Sequence, residues 1–515
     1  MVPVRRSAAP FHLAGVLAAF ALTGCGSGSV DPSIQVIDIP ASVPACDETL
    51  TIASDSPALL VHDPEALKPL SLEKVLESLL DSVPEDHETT PLSLLQRLFD
   101  TSNVAPDAAF DGVHCSSNDN NAHVNGPAAF CPRAEGALAF SDGLLTPGHA
   151  DFFYPVAVVN RFDLMPLTAF TCGEYRIVFA KTSGLQNPDD RVFLIFEISL
   201  PNPKPGSMLA CRPVLDFWKS LEQAPDKETM GQELASFFLE GLPGFGVPVT
   251  ALNLGLNSGG GAEYYGATGQ VRLSQHMDEH WEMRQMSTRT TGTQHLRFDP
   301  VPVGNNPLPA LFGPVPTWID PEDQSYNEYS AFAEDFAWSN VQSLAASRIE
   351  DMTMITALDH QSGESALGGD PMNDYPARAA ENEYIQTMFQ GTIDSFSLGE
   401  DCPEDDPLTA DSIVRRATML SCAGCHSPER FLGPERKLGC GLTWPASSGE
   451  VHIDERGDLS PALKEVFLPK RAHVLETYLQ ACDEGAILEA FGAEAGDGFS
   501  VKASRPRTLG GHTTH

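Results

Sequence analysis

The chain has 515 residues, with 70 Asp and Glu against 32 Lys and Arg, for a formal charge of −38 at pH 7. Nucleic-acid binders set cations against phosphates, so this balance excludes that class. With 20% charged and 42% hydrophobic residues it is not a disordered acidic tail either, and it is long enough for two or three domains.

At the start, Arg5 and Arg6 precede a short apolar run, Phe11 to Leu22, about half of what a bilayer-spanning helix needs. Leu22-Thr23-Gly24-Cys25 follows, then Gly26-Ser27-Gly28-Ser29. A basic start, a short apolar stretch and small residues at the cut describe an export signal over 1–24. A Cys directly after Leu-Thr-Gly resembles the lipobox of bacterial lipoproteins. The resemblance implies that Cys25 becomes the lipidated first residue, that 25–30 is a flexible tether, and that the protein is lipid-anchored in the cell envelope. Gly26 stands where an inner-membrane retention signal has Asp, which points to the outer membrane, facing periplasm or surface. The alternative is an ordinary secretory signal that contains a Cys. Export places the ten later cysteines where disulfides are the default. They form five bridges, or four with two cysteines kept for another use.

Apolar spacing predicts helices over 70–80 and 91–99, and residues 101–150 read mostly as loop. Phe153 to Asn160, Glu174 to Ala180 and Val192 to Leu200 are rich in β-branched and aromatic residues and predict strands. Helices are expected over 214–221 and 233–239, then further strands over 270–275, 281–286 and 294–303. Together these predict an α+β domain, mainly antiparallel, over 31–319. A smaller helical domain is expected over 320–485, with helices at 327–346, 384–396, 407–420 and 468–482, followed by a flexible tail over 486–515. No internal repeat is visible.

Cys422-Ala423-Gly424-Cys425-His426 is the one specific chemical signal. C-x-x-C-H is the attachment sequence for c-type haem. Two thiols three residues apart reach both vinyl groups on one porphyrin edge, and the next residue puts its imidazole under the iron. This segment resembles a c-type cytochrome domain. The resemblance implies one covalent haem c held by Cys422 and Cys425, with His426 as proximal iron ligand. It also implies an approach helix ending near Leu420 that is crossed by the helix carrying Tyr478. The usual downstream Met is missing, because Met419 is the last methionine. His452 is the preferred distal ligand; Met388, His360 or an open position are the alternatives, and His473 reads as solvated. Competing readings are a Cys422–Cys425 disulfide, or a zinc site with Cys440. Arg415, Arg416, Arg430, Arg436 and Lys437 lie near in sequence and are available to haem propionates.

Weaker constellations are His276-Met277-Asp278-Glu279-His280, the oxygen-rich stretch from Asp111 to Asn125, and the glycines of 255–261. None has the order of a known metal or phosphate motif. Asn160-Arg161-Phe162-Asp163-Leu164 and Cys172-Gly173-Glu174-Tyr175-Arg176, with the C-terminal motif, resemble an uncharacterised group of large exported bacterial proteins. Arg161, Asp163, Glu174 and Arg176 read equally as a structural ion-pair set. The expected function is electron transfer with a redox partner protein, for which the acidic body suits a basic surface. The alternatives are a disulfide-stapled interaction lipoprotein without cofactor and a haem-linked oxidoreductase of unknown substrate. The segment from Pro407 to Cys482 has nine basic and nine acidic residues, so the acidic excess lies elsewhere.

Overall fold

A computed structural model describes residues 49–83, 88–104, 110, 114–115, 132–255, 269–278, 280–290, 295–317, 319, 324–357, 360–368 and 372–491, without the side chains of 324–326. Cys25 with its signal and tether, most of 111–125, the glycine run after Gly255 and the tail from 492 lie outside the described residues. All described residues fall in one compact unit. The fold is α+β, as expected.

The strands are β1 (Leu60–Val61), β2 (Phe153–Arg161), β3 (Thr171–Lys181), β4 (Arg191–Pro201), β5 (Gln270–His276), β6 (Glu282–Thr290), β7 (Leu296–Val301) and β8 (Ser365–Ala366), with a separate hairpin of β9 (Lys437–Gly439) and β10 (Leu442–Thr443). Strands β1 to β7 pair antiparallel in sequence order, and β8 joins the start of β6. The central strands β3 and β4 are buried along nearly their whole length. A strand covered on both faces reads as a near-continuous apolar run rather than a clean alternation, and Arg-Val-Phe-Leu-Ile-Phe-Glu-Ile in β4 has that form.

The two faces differ. Helices α1 (Pro64–Leu67), α2 (Leu72–Asp81), α3 (Pro91–Asp100), α4 (Arg212–Ser220) and α5 (Lys227–Glu240) contribute buried residues to the same large core as the sheet. Trp218 of α4 stacks on Tyr175 with ring centres 5.7 Å apart, and Phe237 of α5 meets Tyr175 edge-on at 5.4 Å. The other face is set by register. Val159 lies opposite Arg176, Arg176 opposite Glu197, Ile195 opposite Arg272, and Ser274 opposite Met283. Alternation along each strand then turns these residues to one side.

Helices α6 (Gln324–Leu344), α7 (Tyr375–Ala379), α8 (Glu383–Ser395) and α9 (Ala410–Met419) form a second core. Phe336 and Phe389 stack there at 5.4 Å. Thr409 and Ser412 form a reciprocal capping box at the start of α9. The buried Arg416 donates to the carbonyls of Leu438, Leu344, Ala346 and Gly439, tying α9 to its surroundings.

After α10 (Cys422–His426) and α11 (Pro428–Leu432) the chain returns to the sheet through α12 (Leu468–Gln480) and α13 (Glu484–Ala490). Tyr478 meets Phe162 edge-on at 4.7 Å, and its hydroxyl donates to the Met208 carbonyl at 2.6 Å. Burial therefore divides the chain differently from the expected boundary at 319/320. Residues from 308 to 444 make the helical core, and 451–487 belong to the sheet's core. Because α9 and α12 bury their apolar residues in different cores, the crossed helix pair implied by the cytochrome resemblance is not formed. The expected tail also opens as a helix, because Asp483 caps α13 and Ile487 is buried.

Candidate haem-attachment site

The motif forms the single turn α10, wedged directly after α9. The Ser421 hydroxyl caps it, accepting from the Gly424 N–H at 3.1 Å. On a helix, residues three and four apart share a face, so Cys422, Cys425 and His426 project to the same side. Gly424 is required by close packing, since a Cβ there would stand 1.8 Å from the Thr418 carbonyl oxygen. The Ala423 N–H donates to Ser365 Oγ at 2.8 Å, fixing the turn to β8.

Both motif thiols are unbonded and buried. The six other cysteines among the described residues are in disulfides, including Cys172–Cys211 and Cys402–Cys440. The Cys422–Cys425 bridge weighed from sequence is thus not formed. A zinc site with Cys440 loses that ligand to Cys402. Among the described residues no group of three or more His, Cys, Asp or Glu is set to hold a metal ion. A porphyrin supplies its own four equatorial nitrogens and asks the protein only for axial donors.

His426 is prepared as such a donor. Its Nδ1 donates to the Glu450 carbonyl at 2.7 Å, which assigns the proton to Nδ1 and leaves Nε2 with its lone pair. Burial pushes its pKa down to about 4, with the Glu450 hydrogen bond opposing and Arg272 adding to the effect, so the ring is neutral near pH 7. The Trp281 indole stacks on it with centres 5.1 Å apart. Glu450 sits in the left-handed backbone region at φ 69°, next to Gly449. Its carboxylate pairs with His276 at 3.1 Å. His276 and His280 lie at a strand end and turn, so the helical i, i+4 reading of that pair does not apply.

Beside His426 lies a cavity of about 110 Å³ that opens to the surface. Its floor is the charged face of the sheet, with Val159, Val178, Phe193, Ile195 and Met283 as apolar contributors. Its roof is the C-terminal segment, through Val451, His452, Ile453, Leu463, Phe467 and Arg471. Arg176 and Arg272 each approach Glu197 at 3.1 Å on the floor. Arg272 also reaches Cys422 Sγ at 3.7 Å. Burial raises the pKa of both thiols, most at Cys425, so they stand protonated.

His452 lines the cavity, as expected. Its Nε2 lies 3.1 Å from Cys425 Sγ, and its Nδ1 lies 2.9 Å from Ser460 Oγ. Its ring centre is 4.6 Å from that of His426. His360 packs on Phe332 and Met388 on the helical core, both away from the cavity lining, and His473 is exposed. Met283, which sequence reasoning passed over, is the thioether on the wall.

The five cations taken from sequence proximity do not line the cavity. Arg416 is spent on backbone carbonyls. Arg415 pairs with Asp411, Arg436 with Glu429 and Lys437 with Glu435; Arg430 is exposed. The cavity cations are Arg176, Arg272 and Arg471. Of the set Arg161, Asp163, Glu174 and Arg176, the last lines the floor. Arg272 and Glu197 had a readable signal, a charge set inside a strand otherwise fit for burial.

No protein-family model matches the chain, and no curated protein or solved structure matches it. The fit of a haem therefore rests on the site's donors. Two free thiols and a neutral imidazole share one helical face, His426 lines the cavity, and Arg176, Arg272 and Arg471 stand on its wall; this is the donor set the group would use.

Proposed function

We propose that this chain is an exported lipoprotein of the cell envelope, anchored through Cys25, that carries one covalent c-type haem and transfers electrons. One observation carries the reading. In a chain whose other described cysteines are disulfide-bonded, the C-x-x-C-H pair alone is kept as thiols, next to a neutral His426 and an apolar cavity. Cys422 and Cys425 would hold the group by thioether bonds and His426 would hold its iron through Nε2. Such a group supplies a one-electron iron couple. The chain's own residues fix the imidazole through Glu450, exclude water with the apolar walls and set the local charge with Arg272 and Glu197.

The cofactor-free interaction lipoprotein requires a Cys422–Cys425 bond, which no observation favours. A haem-linked oxidoreductase has no substrate-specific feature in its support. The acidic excess outside 407–482 suits a basic redox partner, and the electron-transfer rate should then fall with added salt.

The decisive test is expression of the full chain with a haem-attachment system, followed by denaturation and staining of the gel for covalent haem. Stain on the wild type that disappears in Cys422→Ala plus Cys425→Ala is expected. An unstained wild-type band, or stain that survives the double substitution, overturns the reading.

A further inference from the structure

The charge cluster at and behind the cavity wall holds an imbalance that the motif does not explain. Four guanidiniums, Arg161, Arg176, Arg272 and Arg471, face three carboxylates, Asp163, Glu174 and Glu197. Each carboxylate is already engaged. Arg161 takes both oxygens of Asp163 at 2.9 Å. Arg176 takes Glu174, and Arg176 and Arg272 share Glu197. Arg471 is left over. It is only 7% exposed, its buried Nε has no hydrogen-bond partner, and no carboxylate of a described residue pairs with it within 4.0 Å.

A guanidinium does not shed its proton under ordinary conditions, so it cannot escape the cost of burial by neutralising. Burial and the neighbouring Arg161 and Arg176 all disfavour its charge, with Asp163 and Glu174 only partly opposing. An uncompensated buried charge of this kind is relieved by an anion. A second buried donor points the same way. The indole Nε1 of Trp444 lacks a partner, and Trp444 borders a smaller cavity together with Phe467, Arg471, Lys470 and the carboxylates Asp163 and Glu350.

We propose that Arg471 is the carboxylate-binding residue of the cavity, receiving the acid group of an otherwise apolar occupant. This rests on the haem reading, in which the carboxylate is a porphyrin propionate. The same chemistry would also hold a free aliphatic carboxylate.

The test uses the full chain in two backgrounds, haem-loaded and Cys422→Ala plus Cys425→Ala. In the cofactor-free background Arg471→Met should raise Tm by about 2–4 °C, because it removes the unpaired charge. In the loaded chain the same substitution should lower Tm and shift the midpoint potential downward, and Arg471→Lys should restore part of both. A substitution that lowers Tm equally in both backgrounds, with no shift in potential, makes Arg471 structural and overturns the inference. Octanoate is the probe for the second source. If it stabilises the cofactor-free chain but not its Arg471→Met variant while the wild type never stains for haem, the carboxylate site stands and the haem reading falls. Covalent haem with an unchanged potential and unchanged Tm in Arg471→Met has the opposite meaning.

Discussion

The two faces of the sheet are built from alternate residues of the same strands, and they have been filled by opposite rules. On one, Tyr175 packs with Trp218 and Phe237, a dry aromatic cluster. On the other, Arg176, Glu197 and Arg272 are buried beneath a cavity. Well-packed apolar residues generally stabilise a fold at least as well as a buried ion set. The first face therefore reads as what holds the protein together, and the second as what the protein holds.

That contrast is broken most directly by truncation. Phe237→Ala should cost about 3–5 kcal/mol in urea unfolding, because its neighbours cannot collapse into the space. Phe193→Ala, whose ring borders an existing cavity, should cost less than half as much in cofactor-free protein. Equal costs would show that the cavity face is an ordinary core.

Charge sharpens the contrast next. Burial alone would raise the Glu197 carboxyl, but Arg176 and Arg272 outweigh it and hold its pKa below the ordinary value. A depressed carboxyl contributes stability above its unfolded pKa, near 4.3, and that stability is lost as pH falls through the folded value. Glu197→Gln should therefore cost about 3 kcal/mol at pH 7, since it strands the buried Arg272 guanidinium and leaves Arg176 with Glu174 alone. The gap from wild type should close as the pH is lowered below about 4. A gap that is constant with pH would assign the loss to packing.

A smaller effect is expected at the turn that joins the regions. Gly424→Ala places a methyl against the Thr418 carbonyl. It should cost about 1–3 kcal/mol and reduce haem attachment, read by urea melts and gel stain. Unchanged stability would mean that α10 shifts freely on α9.

Much of this contrast was hidden in the sequence, for physical reasons. Strands β2 to β7 were legible, β2 to β4 because β-branched and aromatic runs mark them, and the motif was legible because its chemistry is local. The cavity was not, because it exists only through register, which sets Arg176, Glu197 and Arg272 side by side from three separate strands. Proximity in sequence misled in the same way. Arg416 is ten residues from His426 yet bonds to backbone carbonyls, whereas Arg471 reaches the cavity from α12. The tilt towards a crossed α9–α12 pair failed because the apolar stripe of α12 shows that it is buried, not what it is buried against.

The last expectation concerns which region completes the iron site. His452 comes from the roof and Met283 from the floor, and both line the cavity. His452 is engaged with Ser460 and Cys425, and its ring centre lies 4.6 Å from that of His426. Met283 is on the same strand face as Trp281, which already stacks on His426. Under the haem reading, the thioether of Met283 would be the second donor to the group. Met283→Leu conserves volume and should cost under about 1.5 kcal/mol, yet it should lower the midpoint potential and change the visible spectrum of the loaded chain, because loss of a thioether ligand removes a feature that raises potential. His452→Ala should leave the spectrum in place. The reverse pattern would make the roof the ligand-bearing region and the sheet floor only its apolar wall.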